Sequence, residues 1–271
     1  MNPQDFELIS DLLAKRSGLA IASDKTYLLE SRLTPVARQH DLNGLDGVIG
    51  ALRGSPSEEL LVDITDAMTT NETFFFRDQK PFDLFRNIVL PQIMQARSET
   101  KKFRIWCAAA STGQEPCTLA MILKEEAAKL ADWSYDIVGT DLSRSVLVQA
   151  REGKYSQFEV QRGLPIQMLV KYFTQDKEHW KVNSDILDMI DYRELNLLDE
   201  FSQLGKFDIV FCRNVLIYFS TADKCSILER VNALMPDDGV MFLGGAETVI
   251  GITDKFVPES GQRGLYRPSG S

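Results

Sequence analysis

The run Phe103-Arg-Ile-Trp-Cys-Ala-Ala-Ala-Ser-Thr-Gly-Gln-Glu-Pro-Cys117 leaves few architectures open. Its apolar half stops at a turn of small residues around Gly113, and a helical pattern opened by Pro116 follows at once. A strand that stops this way and reverses into a helix aims backbone N–H groups at whatever lies above the strand end. Nucleotide-like ligands with anionic groups are held so. A small-molecule cofactor site is therefore expected here. The turn lacks a full G-x-G-x-x-G, which argues against a dinucleotide pyrophosphate. A ligand with a nucleoside and a carboxylate fits better.

The surrounding pattern agrees. From residue 103 short β runs alternate with helical stretches, the mark of a parallel sheet covered on both faces. The expected strands are Arg104–Ala108, Asp136–Gly139, Tyr192–Asn196, Phe207–Cys212 and Val240–Leu243. Helices are expected around Leu119–Lys129 and Ile227–Met235, and two short β runs, Lys255–Pro258 and Gly264–Arg267, close the chain. About fifty residues separate the second strand from the third, where a crossover needs about a dozen. The surplus, at about 155–189, predicts a small inserted subdomain, with strand-like Tyr172-Phe173 and Trp180-Lys181-Val182. Residues 1–70 lack strand signals. Apolar residues recur at helical spacing in three sets: Phe6, Ile9, Leu12 and Leu13; Tyr27, Leu28, Leu29, Leu33, Val36 and Ala37; Leu60, Leu61, Ile64, Ala67 and Met68. Ser269–Ser271 reads as a disordered tail.

Composition narrows the function. A net charge of −9 argues against a nucleic-acid partner, whose affinity rests on Lys and Arg displacing counterions. Cys107, Cys117, Cys212 and Cys225 form no C-x-x-C pair and are expected as reduced, mostly buried thiols. With two histidines, His40 and His179, in unrelated contexts, neither a His-dependent triad nor a metal site is expected. The amino terminus has no basic-then-apolar pattern and no apolar run approaches a membrane span. A cytoplasmic location without membrane insertion is therefore expected.

Three constellations bear chemistry. The first joins the Ser111–Glu115 turn to Asp141, which ends the second strand. An acid there hydrogen-bonds ribose hydroxyls in doubly wound sheets, or else caps the next helix. Glu115 either favours the helix macrodipole or holds an ammonium group. The second is Thr70-Asn71-Glu72-Thr73-Phe74-Phe75-Phe76-Arg77-Asp78. Three successive phenylalanines cannot share one helix face, and some are expected to plug a seam between the helical and sheet domains. Asn71 and Thr73 are cap or site residues, and Arg77 is a site residue or a surface ion-pair partner. The third is Phe211-Cys212-Arg213-Asn214-Val215-Leu216-Ile217-Tyr218-Phe219, at the end of the fourth strand. Polar Arg213-Asn214 between apolar runs suits a ligand edge better than a plain turn. Asn196-Leu197, after the third strand, is a candidate for an adenine edge.

In order and spacing these motifs (T-N-E-T-F-F-F-R, A-A-A-S-T-G-Q-E-P, G-T-D-L-S, N-L-L and F-C-R-N-V-L-I-Y-F) resemble the chemotaxis receptor methyltransferases, the CheR family, over nearly the whole chain. The resemblance implies an α/β fold: a Rossmann-like class I methyltransferase sheet with a small inserted β-subdomain, preceded by an all-helical amino-terminal domain. The divisions it suggests are 1–70 for receptor recognition, 71–82 as a connecting segment and 83–271 as the methyltransferase domain. It implies S-adenosyl-L-methionine as cofactor and S-adenosyl-L-homocysteine as product. Methyl esters would form on glutamates of the cytoplasmic helical bundle of transmembrane chemoreceptors. Carried over by motif, the cofactor residues are Asn71, Thr73, Arg77, Gly113, Glu115, Asp141, Asn196, Leu197, Asn214 and Val215. Arg77 and Tyr218 would stand nearest the transferring methyl.

In some members the insertion docks a receptor peptide. Here the stretch between Phe173 and Val182 is short and lacks a glycine-rich loop, which speaks against docking. A monomer is expected. Lys25, Arg32 and Arg38, with Lys15-Arg16 before them, form either a basic recognition face or a solvated helix face. The competing functions are a non-catalytic S-adenosylmethionine sensor and a methyltransferase of another substrate class.

Overall fold

The computed structural model describes residues 1–270. The chain divides into two compact units, residues 1–70 with 218–223, and residues 71–217 with 224–271.

The first unit is built from α1 (Pro3–Ser17), α2 (Thr26–Gln39), α3 (Gly44–Arg53) and α4 (Glu58–Met68). Asn2 caps α1 by accepting the Asp5 N–H at 2.9 Å, and Pro3 sits in the first turn, where its missing N–H costs nothing. Gly18 ends the helix at φ +71°, a left-handed conformation. The core unites Ile9, Leu13, Leu29, Leu33, Val36, Ala37, Val48, Ile49, Leu60, Ile64 and Met68. Two sequence expectations need correction. Four helices form rather than three: α3 contains Gly47 and Gly50, yet its Val48 and Ile49 are buried. Tyr27, expected on the apolar face of α2, is 65% exposed.

The second unit opens with α5 (Lys80–Leu84), a π-helical turn (Phe85–Val89) and α6 (Leu90–Ala96). Its strands are β1 (Lys102–Cys107), β2 (Ser134–Asp141), β3 (Lys154–Ser156), β4 (Phe173–Asp176), β5 (His179–Val182), β6 (Ile190–Glu194), β7 (Ile209–Cys212), β8 (Val240–Leu243), β9 (Phe256–Pro258) and β10 (Leu265–Pro268). Between them lie α7 (Gln114–Glu125), α8 (Arg144–Glu152), α9 (Gln157–Gln161), α10 (Ile166–Tyr172), α11 (Ser184–Leu187) and α12 (Thr221–Ala233). The main sheet runs β6-β2-β1-β7-β8-β10-β9. The first five of these strands are parallel, while β10 pairs antiparallel with both β8 and β9. From β1 the chain winds outward through β2 and β6, then returns to lay β7 on the other side of β1. The strand order therefore reverses between β1 and β7, where ligands bind in doubly wound sheets.

This is the expected Rossmann-like sheet. The third strand begins and ends two residues before its expected position, at Ile190 and Glu194. The insertion forms a separate antiparallel sheet, β3-β5-β4, starting at Lys154. At the chain end, Ser269 is anchored rather than loose: its N–H donates to the Lys255 carbonyl and its hydroxyl to that of Asp254. Ser271, the last residue of the expected tail, lies outside the described residues.

Two residues of the phenylalanine run, Phe75 and Phe76, are buried in the core of the second unit. Phe75 is fully buried and packs edge-on against Tyr155 of β3 (5.0 Å) and Phe173 of β4 (5.5 Å). Phe76 packs on Phe82 of α5, which in turn stacks on Phe211 of β7. The run thus joins the insertion to the main sheet within one core. Gly163, in the link between α9 and α10, makes that joint possible. It holds φ +87°, and a Cβ there would sit 2.1 Å from the Phe75 carbonyl oxygen. Gly261 also has positive φ (+73°) but has open space around it. Gly261→Ala should cost only the left-handed penalty, about 1–2 kcal/mol. Gly163→Ala, which drives into backbone, should cost about 3 kcal/mol or more. Equal losses in urea denaturation would refute the close approach.

Candidate active site

The carboxyl ends of β6, β2, β1, β7 and β8 stand side by side, and the sequence motifs fall on them. Cys107 of β1 lies opposite Gly139 of β2 on one side and Phe211 of β7 on the other. Beyond Cys107 the chain leaves the sheet by two backbone bonds: Ala108 N–H to the Phe211 carbonyl and Ala110 N–H to that of Thr140, both 2.8 Å. The turn then passes through Ser111 (φ +49°) and Gly113 (φ +94°) into α7. Gly113 is required on two counts. A Cβ there would meet the Tyr192 hydroxyl at 2.7 Å, Ala150 Cβ at 3.0 Å and the Tyr155 hydroxyl at 3.1 Å, and the backbone is left-handed.

Asp141 fastens this turn from the neighbouring strand. One carboxylate oxygen accepts the Ser111 N–H at 2.8 Å, the other the Ser143 N–H at 3.0 Å. The helix-capping alternative is thereby corrected, because the cap of α8 is Ser143. Ser111 in turn donates its hydroxyl to the Asn71 carbonyl at 2.9 Å, drawing the second motif to the end of β1. Residues 71–74 belong to no helix or strand, so Asn71 and Thr73 have no helix to cap. Both are half-buried. Arg77 is half-buried as well, donates to the Glu72 carbonyl at 2.5 Å and lies 5.6 Å from the Phe74 ring centre.

Arg213, which follows β7, ties these pieces together. Its side chain is 1% exposed. Nη1 donates to Glu115 of α7 at 2.6 Å, and Nη2 to the Arg77 carbonyl at 2.9 Å and to Asp78 at 2.8 Å. Its Nε has no hydrogen-bond partner among the described residues. One Glu115 oxygen is therefore engaged by a guanidinium of the chain itself. Burial pushes the Glu115 carboxyl up from its ordinary range, and Arg213 partly offsets this. The thiols beside it are poor nucleophiles: burial raises Cys107 and Cys212, and takes Cys117 to about 11.

Asn214 holds φ +57° just after Arg213. Its N–H and that of Val215 donate to Glu247, a residue the sequence reading missed. Glu247 lies in the turn after β8 and belongs to no recognisable motif. Only its position past a strand end could have flagged it. Asn196 lies in a turn after β6, where its side-chain oxygen accepts the Leu198 N–H at 3.0 Å. Leu197 is buried, and its carbonyl accepts from Arg230. Tyr218, half-buried, ends a 3-10 turn (Leu216–Tyr218) and groups with the helical unit.

Within the helical unit the expected basic face is smaller than the sequence suggested. Arg32 donates to the Met68 and Thr69 carbonyls at 2.9 and 2.8 Å, satisfying the end of α4. Arg16 pairs with Glu58. Lys15, Lys25 and Arg38 remain exposed.

Two family profiles match the chain: CheR methyltransferase, all-alpha domain, over residues 4–69, and CheR methyltransferase, SAM binding domain, over residues 71–265. The chain is 40% identical over 259 residues to chemotaxis protein methyltransferase 1 of Pseudomonas aeruginosa, covering 93% of each chain. It is 38% identical over 256 residues to chemotaxis protein methyltransferase Cher2 of Pseudomonas putida, again covering 93% of each. With the chemotaxis protein methyltransferase of Borreliella burgdorferi it shares 34% identity over 239 residues, 86% of this chain and 84% of that one.

The buried pair predicts a strongly coupled double-variant cycle. Arg213→Met strands the Glu115 carboxylate and should cost about 3–5 kcal/mol at neutral pH. The double variant Glu115→Gln/Arg213→Met should lose less than the two single variants summed. In Arg213→Met the main charge holding the Glu115 pKa down is gone, so the folded form keeps a proton that the unfolded chain releases above about 4.5. The native carboxyl is itself raised by burial, so the stability deficit should grow as pH rises above that native pKa and shrink on acidification. Additive losses in urea denaturation, or a deficit independent of pH, would contradict the pairing.

Proposed function

This chain belongs to the CheR methyltransferase family, and on that premise we propose that it forms methyl esters on glutamates in the cytoplasmic signalling region of chemoreceptors. It is a methyltransferase whose cofactor is S-adenosyl-L-methionine. The observation that supports the finer reading most is convergence. Residues 71–77, 113–115, 141 and 213–215, from four separate segments, meet at adjacent strand ends around the switch point between β1 and β7.

The residues suit a nucleoside amino acid. Gly113 leaves no side chain over the turn, and Asp141 is an acid at the end of β2, suited to a ribose. Glu115 and Asp141 supply negative charge for a cationic ligand. Asn71, Thr73, Asn196 and Asn214 offer amide and hydroxyl groups, and Leu197 and Val215 offer apolar walls. When bound, the cofactor supplies a methyl group on an electrophilic sulfonium.

The acceptor, a glutamate side chain, is ionised near neutral pH because its pKa is about 4.3. No general base is needed, in keeping with a site that draws on neither histidine. The protein's contribution is alignment and exclusion of water, which is worth on the order of 7–11 kcal/mol when geometry is good. In this reading Arg77 orients the acceptor carboxylate, and Tyr218 hydrogen-bonds it or walls the slot. Arg77 must not grip too tightly, since a fully paired carboxylate is a weaker nucleophile. The receptor's helical bundle would be met by the helical unit, in the cytoplasm. Among the described residues no helix is long and apolar enough to cross a membrane.

Incubation with radiolabelled cofactor and receptor-containing membranes should leave base-labile label on the receptor. Label on RNA or a small molecule, or none at all, would refute this reading. Arg77→Ala should slow transfer by about a hundredfold or more while weakening S-adenosylhomocysteine binding far less. Matching losses in the two measurements would remove Arg77 from the acceptor's side.

A further inference from the structure

Glu247 lies outside every motif of the sequence, yet its carboxylate gathers four backbone N–H groups. One oxygen accepts from Asn214 and Gly244, each at 2.7 Å. The other accepts from Val215 at 2.9 Å and Ile217 at 3.3 Å. The donors come from two turns, one after β7 and one after β8, so a single side chain clasps adjacent strand ends. Gly244 is fitted to the clasp. A Cβ there would stand 2.6 Å from Asn214 Nδ2, 2.8 Å from the Glu247 carboxylate and 2.9 Å from the Asn214 nitrogen. Asn214 itself sits at φ +57°, a left-handed conformation that Asn bears more readily than most L-residues, and the Glu247 bond to its N–H holds it there.

We propose that Glu247 is a positioning residue for the cofactor: by holding these four N–H groups it locks Asn214 in its left-handed conformation and sets the placement of Asn214 and Val215. The inference rests on the reading that these two residues contact the cofactor. An anion is needed for the task. Four donors converge on two oxygens, and charge-assisted bonds are about twice as strong as neutral ones. An amide in the same place would turn an NH2 group toward two of the donors and leave them unpaired. A shorter carboxylate keeps the charge but falls short of both turns at once.

The test uses the full chain and S-adenosylhomocysteine. Calorimetric affinity, thermal melting and backbone amide exchange are compared for the native protein, Glu247→Gln, Glu247→Asp and Asn214→Ala. Glu247→Gln should weaken binding by about ten- to hundredfold. In turnover its KM for the cofactor should rise more than its kcat falls. Amides of residues 214, 215, 217 and 244 should exchange faster while those of β1 keep their protection. Glu247→Asp should recover part of the affinity. Should Glu247→Gln melt below the assay temperature, Glu247→Asp is compared with the native protein instead. Affinity within twofold of native in the Glu247 variants, with Asn214→Ala weakened, overturns the positioning role alone. Native affinity in Asn214→Ala overturns the cofactor reading beneath it, and the inference falls with it.

Discussion

A guanidinium with 1% of its side chain exposed is costly to bury, and the arrangement at these strand ends depends on how Arg213 is compensated. Removing such a charge from water costs several kcal/mol, recovered only when good partners occupy its donors. Glu115, Asp78 and the Arg77 carbonyl do so for both terminal nitrogens. The partners come from two pieces of the chain, the first turn of α7 and the segment before α5. The ion pair is therefore specific rather than merely stabilising. It brings the Arg77–Asp78 segment to the ends of β1 and β7 while an apolar floor of Phe82, Phe211 and Phe242 lies beneath.

That floor explains why the phenylalanine run precedes the arginine. Phe75 reaches into the rings of the inserted sheet, and Phe76 into α5. Phe74 stays half-exposed under the guanidinium of Arg162, which also pairs with Glu72. Three consecutive side chains thus take three environments, and Phe76 takes its own with a positive φ of +53°. Strained backbone of this kind persists only where packing over-determines it. The insertion is thus anchored next to the segment that contains Arg77.

The fold was legible where hydrophobic pattern and punctuation agree. The alternation after residue 103 and the excess length before Tyr192 followed from spacing alone, and β8 appears at its expected bounds. Helix α3 escaped because its glycines look like breakers, although Val48 and Ile49, packed in the helical core, bury well enough to override propensity. Tyr27 was misread because periodicity cannot say whether a residue at a helix start is covered. At the candidate site, Asp141, Arg213 and Asn214 could be singled out because they lie at or just past strand ends, where ligands bind in doubly wound sheets. Arg32 was misread as a surface charge because its partners are backbone carbonyls 36 and 37 residues away, invisible to any pattern of side chains. Glu247 was missed for the same reason, since all four of its partners are backbone N–H groups.

An enzyme proposed to esterify carboxylates must also leave its own alone. Asp141, Glu247 and Glu115 sit at these strand ends, and none is presented bare. Asp141 is bound by the N–H groups of Ser111 and Ser143. Glu247 is bound by four N–H groups, and Glu115 by the Arg213 guanidinium. A carboxylate whose lone pairs already accept strong donors has less electron density to offer an electrophile. The same bonds that shape the turns therefore dull the nearest competing nucleophiles. A receptor glutamate arriving from water, steadied by one orienting group rather than enclosed by donors, would be the most reactive carboxylate at hand. On the proposed function, selectivity for the substrate over the enzyme's own acids would follow from the hydrogen bonds at the strand ends, with no catalytic base required.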